Sequence, residues 1–372
     1  MPTITFTGDI LPSERINKIT GGDFSACFSK AHKLKNCDYL AGNLETPVAG
    51  EEMLYTYERF RFNSPTGILD ALKNCGFDML TLANNHCMDR GEEGIVKTLD
   101  NCHKYGFDTI GIYSSEAERD TTFVKDLNGI RVAFVNYTYG INTFVHKKTV
   151  EHPYMVNLLQ PEETTPGAIH LLNDYTQIAE DLKRIHIDKS PEYEYVKPHL
   201  EKLEADIKKA KQSSDYVIAV IHNGGQYIRE VDPYSIYMAE KIKEFGADII
   251  VGHHQHLIQK SDFTDGYTKI YCLGNLFCDN RIVSDGCYFD EPLFNVAFHL
   301  TLDKDENGKI KAKQSFSIYT TMTDDRGLPV VIDSADVIKI KNETYLRMEI
   351  LRYANLFAGQ EKYTQVQERY EL

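Results

Sequence analysis

A cluster of polar residues lies where the chain passes from an apolar segment to a helical one. The preceding segment, Met79–Ala83, is mostly apolar and is predicted to be a buried strand. The following segment, Gly91–His103, has apolar residues at helical spacing. The loop between them carries Asn84, Asn85, His86 and Asp89. Open α/β sheets bind their ligands at such carboxyl ends of strands, although Asn and Asp are also common turn and capping residues.

Predicted strands and helices alternate along most of the chain, which indicates βαβ units and a largely parallel sheet. The predicted strands are Thr3–Thr7, Tyr39–Ala41, Met79–Ala83, Asp108–Ile112, Val132–Tyr137, Asp215–His222 and Ala247–Gly252. The predicted helices include Asp23–Leu34, Pro65–Asn74, Gly91–His103, Leu200–Ala210, Pro233–Phe245 and Glu343–Ala358. Lys269–Asp279 is predicted to be a strand followed by a loop at Asn275, and Phe294–Tyr319 a hairpin.

Side chains that can bind metal follow five of these strands. In chain order they are Asp9; Asn43 and Glu45; Asn85 and His86; His222; and His254 and His256. One such residue alone is more often a turn residue or a hydrogen-bonded histidine. Several at the strand ends of one fold are harder to explain by packing, and carboxylate, amide and imidazole groups suit Mn, Fe or Zn. The sequence therefore predicts a site for one or two divalent ions.

Composition excludes several other classes of protein. The formal net charge is −14 and no basic patch is visible, so nucleic acid is not an expected partner. No apolar run approaches the ~18 residues of a membrane span. The eight cysteines form no CxxC pair, which favours a reducing compartment. The first residues enter a strand at once, so we expect either a cytoplasmic protein or a chain whose leader is missing.

Six segments together resemble a known family. In order they are GD, GNLETP, ANNHCMDRG, HNGGQY, GHHQH and CLGNLF. They look like the motifs of the capsule-synthesis (CapA-type) branch of the calcineurin-like metallophosphoesterases. The resemblance implies an α/β fold with a four-layer αββα sandwich, in which helices flank two central sheets. We expect this domain to cover residues 1–320, with an insertion near 161–198 that could be a lid or a homo-oligomer contact. A C-terminal extension, 321–372, would pack on it.

The resemblance also implies roles for individual residues. One metal ion would be bound by Glu45, Asn85, His222 and His254, and a second by Asp9, the same Glu45 and His256. His86 would assist the leaving group, and Asp89 would orient it. The predicted substrate-binding residues are Asn43, Arg59, Arg61, Asn84 and Asn275. No role is implied for His253.

Two positions depart from the pattern of the wider superfamily. Leu11 stands where an imidazole ligand is expected, and Asn43 stands where the bridging aspartate is expected. A weaker site that binds one ion instead of two therefore stays open. Three functions also stay open for a small or peptide-like anionic substrate. The first is metal-dependent hydrolysis of a phosphoester or peptide-like bond, linked to poly-γ-glutamate or capsule metabolism. The second is non-catalytic binding of polyglutamate or of a synthase. The third is abstraction of an α-proton from a peptidyl residue by Asp9 or His86.

Overall fold

The computed structural model describes residues 1–56, 61–162, 193–279, 294–340 and 343–372. Its strands form two sheets. In chain order the strands are β1 (Thr3–Leu11), β2 (Tyr39–Leu44), β3 (Met79–Thr81), β4 (Asp108–Ile110), β5 (Phe123–Leu127), β6 (Ile130–Thr138), β7 (Tyr216–His222), β8 (Ile249–His253), β9 (Thr268–Ile270), β10 (Asn275–Cys278), β11 (Phe294–Lys304), β12 (Ile310–Thr323), β13 (Pro329–Asp333) and β14 (Tyr370–Glu371). The first sheet contains β1–β4 and β10–β14, and the second contains β5–β9.

Strand β1 lies at the centre of the first sheet. On one side it pairs with β2, and β2, β3 and β4 continue the parallel row in chain order. On the other side, Thr3–Phe6 pair with antiparallel β11, and Asp9–Leu11 pair with parallel β10. In the second sheet β6, β7, β8 and β9 are parallel, and β5 is antiparallel to β6. Parallel strands bring their carboxyl ends to one edge of each sheet, where an α/β protein binds ligands.

The helices connect these strands. They are α1 (Glu14–Thr20), α2 (Ser25–Phe28), α3 (Gly67–Cys75), α4 (Gly91–Lys104), α5 (Glu116–Arg119), α6 (Thr143–His146), α7 (Tyr193–Ser213), α8 (Pro233–Phe245), α9 (Ser334–Ile340) and α10 (Thr344–Ala358). The ends of α8 follow from local sequence: the Asp232 side chain accepts a hydrogen bond from the backbone N–H of Ser235, Pro233 begins the helix, and Gly246 ends it at φ 107°. None of the described helices is long and apolar enough to cross a membrane.

The two sheets pack face to face, with helices on both outer faces. Between the sheets, the Phe134 ring lies 6.3 Å from that of Phe6 and 5.9 Å from that of Tyr39, measured between centroids. Helices α1 to α4 share a core with the outer face of the first sheet, and α7 and α8 share one with the outer face of the second. The αββα sandwich implied by the sequence resemblance is therefore confirmed.

Burial on both faces explains why the central strands are continuously apolar. All seven residues of β7 are buried. Ile218 and Val220 point into the core between the sheets, whereas Val217 and Ala219 point towards the outer helices. Successive side chains of a strand alternate between its two faces, so a strand covered on both sides needs apolar residues at every position.

The C-terminal part continues the first sheet. Strands β11 and β12 form the predicted hairpin, β13 pairs with β12, and α10 adds Ile350, Tyr353 and Phe357 to the core between the sheets. Strand β12 runs through position 320, and the domain boundary there stays a prediction. Of the predicted insertion, residues 163–192 lie outside the described residues, so its role also stays a prediction.

Two predicted elements were wrong. The helix predicted over Asp23–Leu34 is interrupted, because Lys30 forms a β-bridge with Ile332 between α2 and a short 3₁₀ helix, His32–Lys35. The strand and loop predicted over Lys269–Asp279 are two strands in different sheets, β9 and β10. Between them Gly274 has φ 81°, which favours glycine, and its carbonyl accepts a hydrogen bond from the backbone N–H of Asp9. The chain crosses between the sheets at this point.

Candidate metal centre

The six side chains predicted to bind metal lie together between the carboxyl ends of strands from both sheets. All six are buried, with at most 2% of their surface exposed. They are Asp9 in β1, Glu45 after β2, Asn85 after β3, His222 at the end of β7, and His254 and His256 after β8. They form two groups that share Glu45. We call Glu45, Asn85, His222 and His254 the first half-site, and Asp9, Glu45 and His256 the second half-site.

The first half-site is arranged around His222. The Nε2 atom of His222 lies 2.8 Å from Asn85 Oδ1, 3.0 Å from His254 Nδ1 and 3.5 Å from Glu45 Oε1. Ligand atoms that each lie ~2.1 Å from one ion are separated from one another by ~3.0 to 3.5 Å. The first half-site therefore has the spacing of ligands around a single ion.

The second half-site is looser. The Nδ1 atom of His256 lies 3.3 Å from Asp9 Oδ2, and its Nε2 atom lies 3.8 Å from Glu45 Oε1. One ligand atom from each of the three residues lies within 4.8 Å of the others. The Nδ1 atom of His256 also lies 2.9 Å from Asn275 Oδ1, with which it shares a hydrogen bond.

The shared carboxylate, Glu45, is the group that most requires a cation. It is fully buried, and neither of its oxygens has a hydrogen-bond partner among the described residues. Burial raises the pKa of Glu45 to about 8, although the charge of His256 acts in the opposite direction. A buried carboxylate without hydrogen bonds is costly unless a cation compensates it. The residues present therefore fit a divalent ion.

The histidines differ in their preferred protonation states. Burial holds the pKa of His222 and the pKa of His254 well below the usual range, so both imidazoles are neutral, the form that binds metal. Burial also lowers the pKa of His256, but Glu45 and Asp9 outweigh it and raise this pKa to about 9. Burial would raise the pKa of Asp9, but His253 and His256 hold it well below its usual range. The first half-site is thus the one that presents two neutral imidazoles.

Unusual backbone conformations surround the centre. Positive φ angles occur at His254 (103°), His256 (59°), Tyr227 (57°) and Asn142 (56°). Non-glycine residues adopt this region at a cost, and functional sites are where such strain concentrates. Hydrogen bonds hold it in place: the His254 N–H donates to Asp9 Oδ2 at 3.3 Å, and the Tyr227 N–H donates to the backbone carbonyl of Gln255 at 2.9 Å.

His86 and Asp89 lie beside the metal ligands as a hydrogen-bonded pair. The Nδ1 atom of His86 is 2.8 Å from Asp89 Oδ2, and both residues are buried. The Phe62 N–H donates to the same Asp89 oxygen at 2.6 Å, and the Phe62 ring contacts the His86 ring edge-on at 4.6 Å. The Nδ2 atom of Asn142 lies 3.4 Å from His86 Nε2, and its Oδ1 accepts a hydrogen bond from Asn85 at 3.3 Å.

The residues predicted to bind substrate have different surroundings. Asn43 donates a hydrogen bond to Asp9 Oδ1 at 2.8 Å, Asn84 donates to the Leu44 carbonyl at 2.9 Å, and Asn275 bonds to His256. These three side chains therefore contact the ligands or the strand ends that carry them. Arg61 is half-buried beside Phe62, and its carbonyl accepts a hydrogen bond from Arg90 at 3.2 Å. Arg59 lies outside the described residues. Substrate binding by all five stays a prediction.

The sequence reasoning missed two residues at this centre, His253 and Asn142. The Nδ1 atom of His253 lies 3.0 Å from Asp9 Oδ1. Consecutive strand residues point to opposite faces, so the sequence GHHQH does not reveal that His253 and His254 both reach the site. Asn142 could have been found, since it follows strand β6 and the rule applied to the other strand ends also applies there.

Most of the chain is similar in sequence to a known protein family and to two curated proteins. Residues 3–280 match the family described as "Bacterial capsule synthesis protein PGA_cap". The "Capsule biosynthesis protein CapA" of Bacillus anthracis is 27% identical over 74% of this chain and 60% of its own length. The "PGA biosynthesis protein CapA" of Bacillus subtilis (strain 168) is 27% identical over 74% of this chain and 63% of its own length. The chain thus spans less than two thirds of the length of these curated relatives.

Two solved structures are similar to the chain at a low level. A "hypothetical protein from Thermus thermophilus" is 12% identical with a TM-score of 0.41, over 86% of this chain and 99% of its own. A "Putative 5'-Nucleotidase from Staphylococcus aureus in complex with alpha-ketoglutarate" is 15% identical with a TM-score of 0.44, over 94% of this chain and 58% of its own. The family assignment depends on the sequence match, which covers 278 consecutive positions from 3 to 280 and includes all six predicted ligands. The chain belongs to the bacterial capsule synthesis protein PGA_cap family.

Proposed function

We propose that this protein is a metal-dependent hydrolase of the phosphoesterase type that acts on a small or peptide-like anionic substrate. The observation that carries the proposal is the buried Glu45 carboxylate, which has no hydrogen-bond partner among the described residues. It stands between two groups of histidine and acidic side chains. The donor set of carboxylate, amide and imidazole suits Mn, Fe or Zn.

The first half-site would hold the cation most tightly, with Asp9 and His256 beside it. A cation bound there supplies Lewis acidity, which polarises an electrophile and activates water near neutral pH. The chain's own residues hold and orient the reacting groups. Their burial keeps bulk water away from the ligands, which strengthens each electrostatic contact.

His86 would protonate the leaving group. Its Nδ1 contacts Asp89 Oδ2 at 2.8 Å, which leaves Nε2 as the nitrogen that can deliver a proton. Asp89 is itself fixed by the Phe62 N–H. The Asp89 carboxylate thus orients the His86 ring through Nδ1, as a hydrogen-bonded carboxylate does for a histidine that acts as a general acid.

The substrate class follows from the family and is part of the proposal. Capsule biosynthesis and PGA biosynthesis are named for the two Bacillus relatives. Their names support a substrate from the metabolism of poly-γ-glutamate or of a related capsule polymer. Cys27, Cys37, Cys75, Cys102 and Cys272 form no disulfide, which suits a reducing compartment.

Metal content and turnover test the proposal together. The purified protein would be analysed for Mn, Fe and Zn, and assayed with bis(4-nitrophenyl) phosphate and with a γ-glutamyl 4-nitroanilide. We expect metal-stimulated release of the chromophore from at least one substrate. Glu45→Gln and His222→Ala should abolish it. His152→Ala is the matched control, because it removes an exposed imidazole that pairs with Glu92.

The outcomes separate the competing functions. Metal binding without turnover of either substrate would replace hydrolysis by a binding role. Deuterium incorporation from solvent into an otherwise unchanged peptide would replace it by α-proton abstraction. A protein that binds no metal under any of these conditions would contradict the proposal.

A further inference from the structure

The two acidic residues of the metal centre differ sharply in their hydrogen bonds. Asp9 is contacted at both oxygens: Oδ1 accepts a hydrogen bond from Asn43 Nδ2 at 2.8 Å and lies 3.0 Å from His253 Nδ1. Its Oδ2 accepts a hydrogen bond from the backbone N–H of His254 at 3.3 Å and lies 3.3 Å from His256 Nδ1. Glu45 has no such partner within the described residues. Asp9 thus accepts two hydrogen bonds and has two imidazole nitrogens within 3.3 Å, whereas the oxygens of Glu45 accept no hydrogen bond from the described residues.

The two ring nitrogens of His256 have different carboxylates as their neighbours. Asp9 contacts its Nδ1, whereas Glu45 lies nearer its Nε2. The Nδ1 atom also shares a hydrogen bond with Asn275 Oδ1 at 2.9 Å. One nitrogen of His256 has an oxygen of Asp9 and an oxygen of Glu45 within 4.8 Å, but the two short contacts are divided, with Asp9 at Nδ1 and Glu45 at Nε2. An ion at Nδ1 would have to displace Asn275.

Leu11 and His253 explain why the second half-site is incomplete. Leu11, two residues after Asp9, packs against Phe62 and Cys278 in a small apolar cluster and offers no ligand atom. His253 contributes an imidazole, but its Nδ1 lies 3.0 Å from Asp9 Oδ1, whereas His256 Nδ1 lies 3.3 Å from Asp9 Oδ2. The two imidazoles therefore contact different oxygens of the carboxylate.

We infer that this protein binds one divalent ion tightly, in the first half-site, and that Asp9 is a positioning residue held by Asn43 and His253. Through the backbone N–H of His254, Asp9 fixes the strained turn that presents His254 to the ion. The inference rests on the proposed function only in requiring a metal ion, and it makes no claim about turnover.

Stoichiometry tests the inference. The full chain would be stripped with chelator, desalted and titrated with Mn²⁺ by calorimetry, and the bound metal would be counted by elemental analysis. We expect one equivalent at high affinity and any second equivalent at least ~100-fold weaker, because a missing metal ligand costs more than the loss of an outer hydrogen-bond partner. Two equivalents of similar affinity would overturn the inference.

Three variants locate the ion. Glu45→Gln should weaken the tight equivalent by more than ~100-fold, whereas Asp9→Asn and His253→Asn should keep a stoichiometry of one. If Asp9→Asn or His253→Asn reduced the stoichiometry from two to one, these residues would bind a second tight ion, and the inference would be wrong. Thermal melting with and without Mn²⁺ gives a second readout, since a bound ligand stabilises the folded state by an amount that grows with the logarithm of its affinity.

Failure of the inference differs from failure of the proposed function. Two tight ions would contradict the single-ion arrangement and leave metal-dependent hydrolysis standing. No bound ion in the wild-type protein would contradict both. The His152→Ala variant, treated in parallel, should match the wild type in stoichiometry and melting, because its imidazole is exposed and pairs with Glu92, which belongs to neither half-site.

Discussion

His86 Nδ1 lies 2.8 Å from Asp89 Oδ2, three residues later in the same loop. The Phe62 N–H donates to that oxygen as well, at 2.6 Å, so the carboxylate joins two segments of the chain. A contact of this kind fixes both the orientation of an imidazole and the nitrogen that carries its exchangeable proton. The role proposed for His86 can therefore be tested separately from metal binding.

Replacing His86 should impair turnover without loss of metal. We expect His86→Asn to lower kcat by about 10²- to 10⁴-fold, the usual contribution of a positioned proton donor. The metal content should stay at the wild-type value, because His86 belongs to neither half-site. A substrate with a better leaving group should recover much of the loss. A variant that loses its metal, or one that shows no dependence on the leaving group, would contradict this role.

Asn142 should act on metal affinity through Asn85. The Oδ1 atom of Asn142 accepts a hydrogen bond from Asn85 Nδ2 at 3.3 Å. This hydrogen bond orients the Asn85 amide so that Asn85 Oδ1 faces His222. We expect Asn142→Ala to weaken the tight metal ion by about 10- to 100-fold, the usual cost of losing such a partner. Competition with a metallochromic chelator would measure the shift. An affinity within about threefold of the wild type, well below that usual cost, would show that Asn85 needs no such support.

The predicted ligand residues lie together in the structure because their positions follow one simple rule. Apolar strands such as β7 and β8 are easily recognised, and the residue that follows a strand in a parallel sheet lies at the ligand-binding edge. Asp9, Asn85 and His222 are therefore brought together by topology alone. The four layers, in contrast, were implied by the family resemblance and not by this rule.

Other features depend on contacts between distant segments and cannot be predicted from local pattern. His253 lies on the same face of β8 as Ile249 and Val251, whereas His254 departs from the strand alternation with φ 103°, so both imidazoles reach the site. The interruption of the helix predicted over Asp23–Leu34 requires Ile332, which is remote in sequence. The passage from β9 to β10 depends on Gly274, whose neighbours in the sequence look like a single apolar strand.

Restoring an imidazole at position 11 should create a second metal site. Leu11 is 9% exposed and packs with Phe62, whose ring contacts His86. We expect Leu11→His to raise the Mn²⁺ stoichiometry from one to two, because it adds a neutral nitrogen ligand next to Asp9. Leu11→Gln is the control, since it adds polarity without an imidazole. If Leu11→His folds and still binds one ion, the missing ligand is not what limits the second half-site.

A buried histidine far from the metal ligands should make stability depend on pH. Burial, with a smaller effect from the charge of Arg369, lowers the pKa of His299 to about 3. Its ring is hydrogen-bonded to Thr5 at 2.8 Å and to Ser317 at 3.1 Å. The unfolded chain takes up a proton near pH 6.5 and the folded chain does not, so the free energy of unfolding falls as the pH drops below about 6.5.

Urea unfolding at pH 7.5 and pH 5.5 measures this effect. We expect the wild type to lose about 1.4 kcal/mol more than His299→Gln between these two values, because one pH unit below the unfolded pKa corresponds to that free energy. Other titrating groups are common to both proteins and cancel in the comparison. An identical pH dependence in the two proteins would mean that His299 is protonated in the folded state.

The most direct test of the metal centre is an anomalous-scattering map from crystals grown with Mn²⁺. The account predicts one strong peak about 2 to 2.3 Å from Asn85 Oδ1, His222 Nε2, His254 Nδ1 and an oxygen of Glu45. Asp9 should remain bonded to Asn43 and adjacent to His253. A peak of equal height between Asp9 and His256, or no peak among these side chains, would contradict it.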